Sequence, residues 1–177
     1  GEATALQALE ELSVKGRAPK TNYKRAQFGS GWASQGACDM RNIILQRDLT
    51  EVKVDEKCHV LSGSLGDPYT GAVIVFVRGP GSSQKVQIDH VVALSDAWQK
   101  GAQSLAADRR AELANDPLNL LAVDGSANQA KSDGDAATWL PSNKSFRCQY
   151  VARQVAVKRK YGLWVTEAEK RAMSRVL

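Results

Sequence analysis

Histidine is scarce in this chain: His59 and His90 are the two among 177 residues. Cysteine is nearly as rare, with three, and no CxxC pair or zinc-finger spacing occurs. No apolar run is long enough for a transmembrane helix. There is no internal repeat, low-complexity tract or clear linker, so a single domain with a sizeable core is expected over 1–177. No signal peptide is visible, and the chain starts at Gly1, as the mature form of a processed protein or a trimmed piece would.

What is present is ordinary globular material, 43% hydrophobic and 24% charged, with a net charge of +5. That balance is compatible with a polyanionic partner without requiring one. Cys58-His59 with Cys38 and Cys148 can be drawn as a metal site. The spacing is irregular, however, and adjacent Cys and His rarely ligate one ion. A Cys38–Cys58 disulfide in an exported protein is the better reading, with Cys148 left as a buried thiol.

Along the chain, Leu6, Leu9 and Leu12 recur at helical spacing in "ATALQALEELSV". "CDMRNIILQRDL" reads as a short helix, "HVLSG" as a short strand and "DPYTG" as a turn. "AVIVFVRG" and "KVQIDHVVAL" read as strands. In the second, alternation puts Val86, Ile88 and His90 on one face and Gln87, Asp89 and Val91 on the other. Residues 95–114 are helical, broken near Gly101 and stopped by "NDP". "LNLLAV" is a short strand and "DG" a tight turn. A helix follows from Ser126, with Ser126 and Gln129 as a capping box that puts Asn128 in its first turn. "FRCQYVARQVAVKRKYG" is an amphipathic helix with Phe146, Tyr150, Val151 and Val155 inside and Arg147, Arg153, Lys158, Arg159 and Lys160 outside. A last helix is capped by Thr166 with Glu169 at its third position. The expected fold class is α+β.

Strand, connection, strand, turn and helix between residues 86 and 140 can gather Asp89, His90, Asn119 and Asn128. Such a cluster suits phosphodiester hydrolysis. A hard divalent ion takes oxygen ligands, which the Asp89 carboxylate and the Asn128 amide supply. A neutral imidazole at His90 takes a proton from the attacking water. Asn119 would hold His90 or its backbone in place. An isolated Asp-His pair is more often structural. Alternation sends Asp89 and His90 to opposite faces, so a bulge, a strong twist or a strand end is expected near residue 89.

The stretches "IDHVVAL", "NDPLNLLAVDGSANQAKSD" and "TWLP" resemble the HNH, or ββα-metal, endonuclease superfamily, with His90, Asn119 and Asn128 as an H-N-N variant. The flanks, "YKRAQFG…W…CDMRNIILQRDL…C…V…G…DPYTG" and "FRCQYVARQVAVKRKYGLWVT", are similar to secreted HNH nucleases of Gram-positive bacteria. Related domains form the C-terminal part of modification-dependent restriction enzymes. The resemblance implies a ββα-metal core over about 84–141, a helical and strand region over 1–83 and C-terminal helices over 145–177. It implies His90 as general base, Asn119 in support, and Asp89 and Asn128 on magnesium, with manganese or calcium as substitutes. It implies DNA as substrate, with RNA left open, 5′-phosphate and 3′-hydroxyl products, export and disulfide bonding.

Arg41 is a candidate neighbour of the scissile phosphate. Lys131 and Arg25, with Arg153 and Lys158 on the basic helix, are candidate backbone contacts. Trp32, Trp98, Trp139 and Trp164 read as packing residues, His59 as structural, and Tyr69 as either. Low sequence specificity and a monomeric form are expected. The alternatives are a catalytically silent nucleic-acid-binding domain of the same fold, or a toxin or restriction-type domain of a larger protein. A toxin would have a protein inhibitor as partner.

Overall fold

A computed structural model describes residues 4–177; Ala3, the first residue of the predicted N-terminal helical stretch, lies outside them. The apolar repeat there forms α1 (Ala5–Glu11), opened by a capping box between Thr4 and Gln7. Leu9 and Leu12 are buried, whereas Leu6 is exposed. A small hairpin, β1 (Ser34–Gln35) and β2 (Cys38–Asp39), leads into α2 (Met40–Asp48), whose first turn is capped by Asp39.

Next comes an antiparallel sheet in the order β3 (Thr50–Val54), β4 (Val60–Gly66), β5 (Val73–Val77). β3 is largely exposed on both faces, so it carries no burial alternation and the sequence reading missed it. A disulfide joins Cys38 to Cys58, tying the start of α2 to the turn before β4. With both sulfurs bonded to each other, the alternative Cys/His metal site disappears. His59 instead pairs with Asp55 at 3.0 Å.

The second sheet is the antiparallel hairpin of β6 (Val86–His90) and β7 (Leu120–Asp124). Its long connection holds α3 (Leu94–Gln99) and α4 (Ala107–Ala114). Then follow α5 (Gly125–Lys131), α6 (Arg147–Tyr161) and α7 (Glu167–Val176). The class is mixed α+β, as expected. The hairpin divides the core. Leu121 and Val123 join Tyr69, Tyr150 and Val151 on one side. Val86, Ile88, Leu120 and Ala122 join Met40, Ile44 and Phe76 on the other.

One charge cluster is buried except for Arg17, which reaches it from the surface. Lys100 Nζ lies 2.8 Å from Asp96, 2.8 Å from Asp135 and 2.9 Å from Glu169. Arg17 bonds Asp96 at 2.7 Å and Asp135 at 2.9 Å, and Lys158 meets Glu169 at 3.2 Å. Burial alone would raise the Asp135 pKa, but the Lys100 ammonium bonded to it holds it below the ordinary carboxylate value.

Of the three irregularities expected near residue 89 the structure has the strand end: β6 stops at His90, and no bulge interrupts its register with β7, which runs unbroken from Val86–Asp124 to His90–Leu120. Three sequence expectations need correction. The cap of α5 is Asp124, whose side chain accepts from the Ala127 amide, and not Ser126. Gly125 then opens the helix because a Cβ there would lie 2.3 Å from the Gln84 carbonyl oxygen. Lys158 is not on the outer face of α6. It is fully buried, and besides Glu169 its ammonium donates to the Trp164 carbonyl at 2.8 Å, a partner the helical pattern of α6 does not reveal. Cys148 is exposed and free, because it lies on the solvent side of the first turn of α6.

Candidate active site

β6 ends at His90, and residues from both of its faces meet a cleft at that end. Ile88, Asp89 and His90 all line this cleft of about 190 Å³, together with Ala93 just past the strand and with Arg25 and Asn128. Asp89 and His90 are each less than a tenth exposed.

His90 is held by its ring edge. Nε2 lies 2.9 Å from the carbonyl oxygen of Ala114, the last residue of α4. A carbonyl only accepts, so Nε2 carries the proton and Nδ1 is left as the basic nitrogen. Trp32 stacks on the imidazole, centroids 5.5 Å apart and planes 24° off parallel. Burial pulls the His90 pKa down to about 4, with the charges of Arg25 and Lys131 adding to the effect and the Ala114 hydrogen bond opposing it. The ring is therefore neutral at neutral pH.

Asn119 sits at the entry to β7, fully buried. Its Oδ1 accepts from the Val92 amide at 2.8 Å and its Nδ2 donates to the Val92 carbonyl at 3.3 Å. Gln154 of α6 donates to the Val91 carbonyl at 3.0 Å. The two side chains fix the backbone that leaves β6 just after His90. Asn119 itself does not line the cleft.

Asp89 has one oxygen engaged. Oδ2 accepts from the Tyr69 hydroxyl and from Lys131 Nζ, the latter at 2.7 Å. Lys131 also donates to the His90 carbonyl at 2.6 Å. Burial, with the Asp89 charge next, raises the Tyr69 pKa well above its ordinary value, so the phenol stays a donor. Asp89 Oδ1 makes no hydrogen bond among the described residues. Asn128 shows the same asymmetry: its Nδ2 donates to Gln87 Oε1 at 2.9 Å, leaving Oδ1 unbonded.

The cleft thus offers a cation one carboxylate oxygen and one amide oxygen. That set fits a hard, water-rich divalent ion of the magnesium type. No group of three or more His, Cys, Asp or Glu side chains among the described residues is placed to hold a metal ion, so none of them forms a closed zinc site.

Of the other candidates, Arg25 is exposed, lines the cleft and forms no ion pair among the described residues. Lys131 cannot serve as a surface phosphate contact, because its side chain is buried against Asp89. Arg41 lies at the far end of β6, donating to the Ser83 and Val86 carbonyls at 3.2 and 3.1 Å, and does not line the cleft. Arg153 donates to the Leu118 carbonyl at 2.9 Å and lines a different groove, beside Asp48 and Phe146. Lys158 is sealed in the interior cluster. The sequence reading did not assign Ala114, Gln87 or Gln154, and took Trp32 for packing only. A backbone carbonyl has no signature in a sequence, and a tryptophan's partner does not show in its neighbours.

The family profile described as "GmrSD restriction endonucleases, C-terminal domain" matches residues 39–176. A protein of the fungus Arthroderma benhamiae, described as an "Uncharacterized secreted protein", is 39% identical over 177 residues, covering 99% of this chain and 84% of its own length. This relative is fungal, where the sequence suggested Gram-positive bacteria. No solved structure matches. No helix among the described residues is long and apolar enough to cross a membrane.

Proposed function

Because the chain belongs to the family of GmrSD restriction-endonuclease C-terminal domains, we propose that it is a divalent-metal-dependent endonuclease that hydrolyses DNA phosphodiester bonds. It works outside the cell and with little sequence preference. The observation that carries this reading is a single cleft where His90, Asp89 and Asn128 each present an unused acceptor beside the unpaired Arg25.

His90 Nδ1 takes the proton of the attacking water, while the Ala114 carbonyl holds the ring in the required tautomer. Asp89 and Asn128 hold the ion, which when bound supplies charge to offset that developing on the phosphate and the leaving oxygen. Arg25 binds the phosphate backbone as a fixed positive charge. Lys131 and Tyr69 hold Asp89 aimed by bonding its Oδ2, and Asn119 and Gln154 keep the strand end rigid. Asn119 and Lys131 are in this account positioning residues.

The free arginine reads phosphate, which carries no sequence information, so specificity is low. Export is supported by the Cys38–Cys58 disulfide and by the secreted fungal relative.

The test is plasmid nicking with magnesium, with and without a chelator, by the wild type and by His90→Ala. Loss of a general base lowers the rate by about 10²–10⁴-fold, and the chelator should stop the wild type. A wild type that binds DNA but cuts it with no divalent ion would point to the silent binding domain. A His90→Ala protein as active as the wild type would remove His90 from its role.

A further inference from the structure

A second cavity, of about 150 Å³, opens on the other side of His90. It shares Arg25, His90 and Leu94 with the cleft but touches neither Asp89 nor Asn128. Its remaining walls are largely apolar: Phe28, the half-buried Trp32, and the bare backbone of Gly29 and Gly31, both at φ 105°. Phe28 is held in place by an edge contact with Trp98 at 6.2 Å, and Trp32 by its stack on His90 at 5.5 Å.

A phosphate has no use for such walls. The part of a nucleic acid that matches aromatic and aliphatic surface is the base. The volume holds on the order of ten water-sized probes, enough for one ring system and too little for a pair. A base can enter only after leaving its stack and its partner. We propose that this cavity is a subsite for one unpaired nucleobase next to the scissile phosphate, resting on the nuclease reading above. Arg25, at the junction of the two cavities, holds the phosphate while the attached base turns into the apolar side.

The Trp32 face is occupied by His90, so the base meets ring edges and aliphatic surface and is recognised by shape. Such a pocket tolerates any base and selects for strand state. The enzyme therefore prefers single strands, flaps and frayed ends to intact duplex.

The experiment uses a single-stranded DNA oligonucleotide with a mapped cut, and a series in which one abasic residue is moved through the positions around that cut. Cleavage with magnesium is timed for each, and for the fully paired duplex. An abasic residue at one position beside the cut should slow cleavage there about tenfold, the size of a lost base–aromatic contact, with about twofold or less elsewhere. The duplex should be slower than the single strand by a similar factor. Phe28→Leu, which removes the aromatic wall of this cavity and does not touch the cleft, should lower the intact oligonucleotide toward the rate of the abasic one and have no further effect on the latter.

Rates within twofold at every position would overturn the subsite while leaving the nuclease reading intact. So would a Phe28→Leu protein that slows intact and abasic substrates equally. A protein that cuts none of these substrates would remove the nuclease reading, and the subsite with it.

Discussion

Lys100 and Lys131 are both buried lysines bonded to carboxylates, yet their surroundings differ in one decisive way. Around Lys100 the charges close on themselves: Arg17, Lys100 and Lys158 face Asp96, Asp135 and Glu169. Around Lys131 a single carboxylate meets one ammonium and the Tyr69 phenol, and its second oxygen is left unbonded at the wall of the cleft. A buried ion pair alone is weak evidence for function, since its desolvation cost rivals its Coulomb gain. What marks the Lys131 site is an acceptor left over and an opening that reaches it.

The comparison fails if both lysines respond alike to removal. Lys100→Met leaves three carboxylates without their central cation and should cost about 3–5 kcal/mol, lowering Tm by roughly 10 °C. Calorimetry checks this, and magnesium should restore none of it. A loss below about 1 kcal/mol would mean that the cluster is not as enclosed as described.

A loss of similar size should come from pH at the active site. His90 titrates near 4 when folded, against 6.5 for the ordinary side chain. The unfolded chain therefore takes up this proton first as the pH falls. The contribution of neutral His90 is complete above pH 6.5 and falls away toward pH 4, by about 3 kcal/mol in all. Denaturant unfolding at pH 7 and pH 4.5 measures it, and His90→Gln should flatten the difference.

Lys131→Met should cost less, about 2 kcal/mol, because Asp89 has the cleft beside it. Here magnesium should return part of the stability, by binding the freed carboxylate and stabilising the folded state by mass action. A variant whose stability the ion leaves unchanged would place Asp89 outside any metal site. Tyr69→Phe removes one hydrogen bond to Asp89 and should cost about 1 kcal/mol, read in the same denaturant titration.

The hairpin, the helix after it and the residue types at 89, 90, 119 and 128 were legible because each is a local pattern: alternation, a turn dipeptide and fixed spacings. The burial of Lys131 and Lys158 was not. A lysine in a helix reads as solvated, and only partners brought from distant segments, Asp89 for one and Glu169 with Trp164 for the other, make the interior tolerable. The start of α5 was misread because two capping residues compete within three positions. Asp124 wins since Gly125 alone fits against the Gln84 carbonyl. Asp89 and His90 demanded a bulge, a strong twist or a strand end on paper, where a strand has two separate faces. The strand end is the one present, since β6 stops at His90 with its register intact.

The acceptor for His90 Nε2 belongs to the long insert between β6 and β7 and lies outside the hairpin itself. The choice of which imidazole nitrogen is basic is thus made by a segment with no chemistry of its own. Shortening that insert in a redesign would change the tautomer before it changed the fold, unless another carbonyl were brought to the same place.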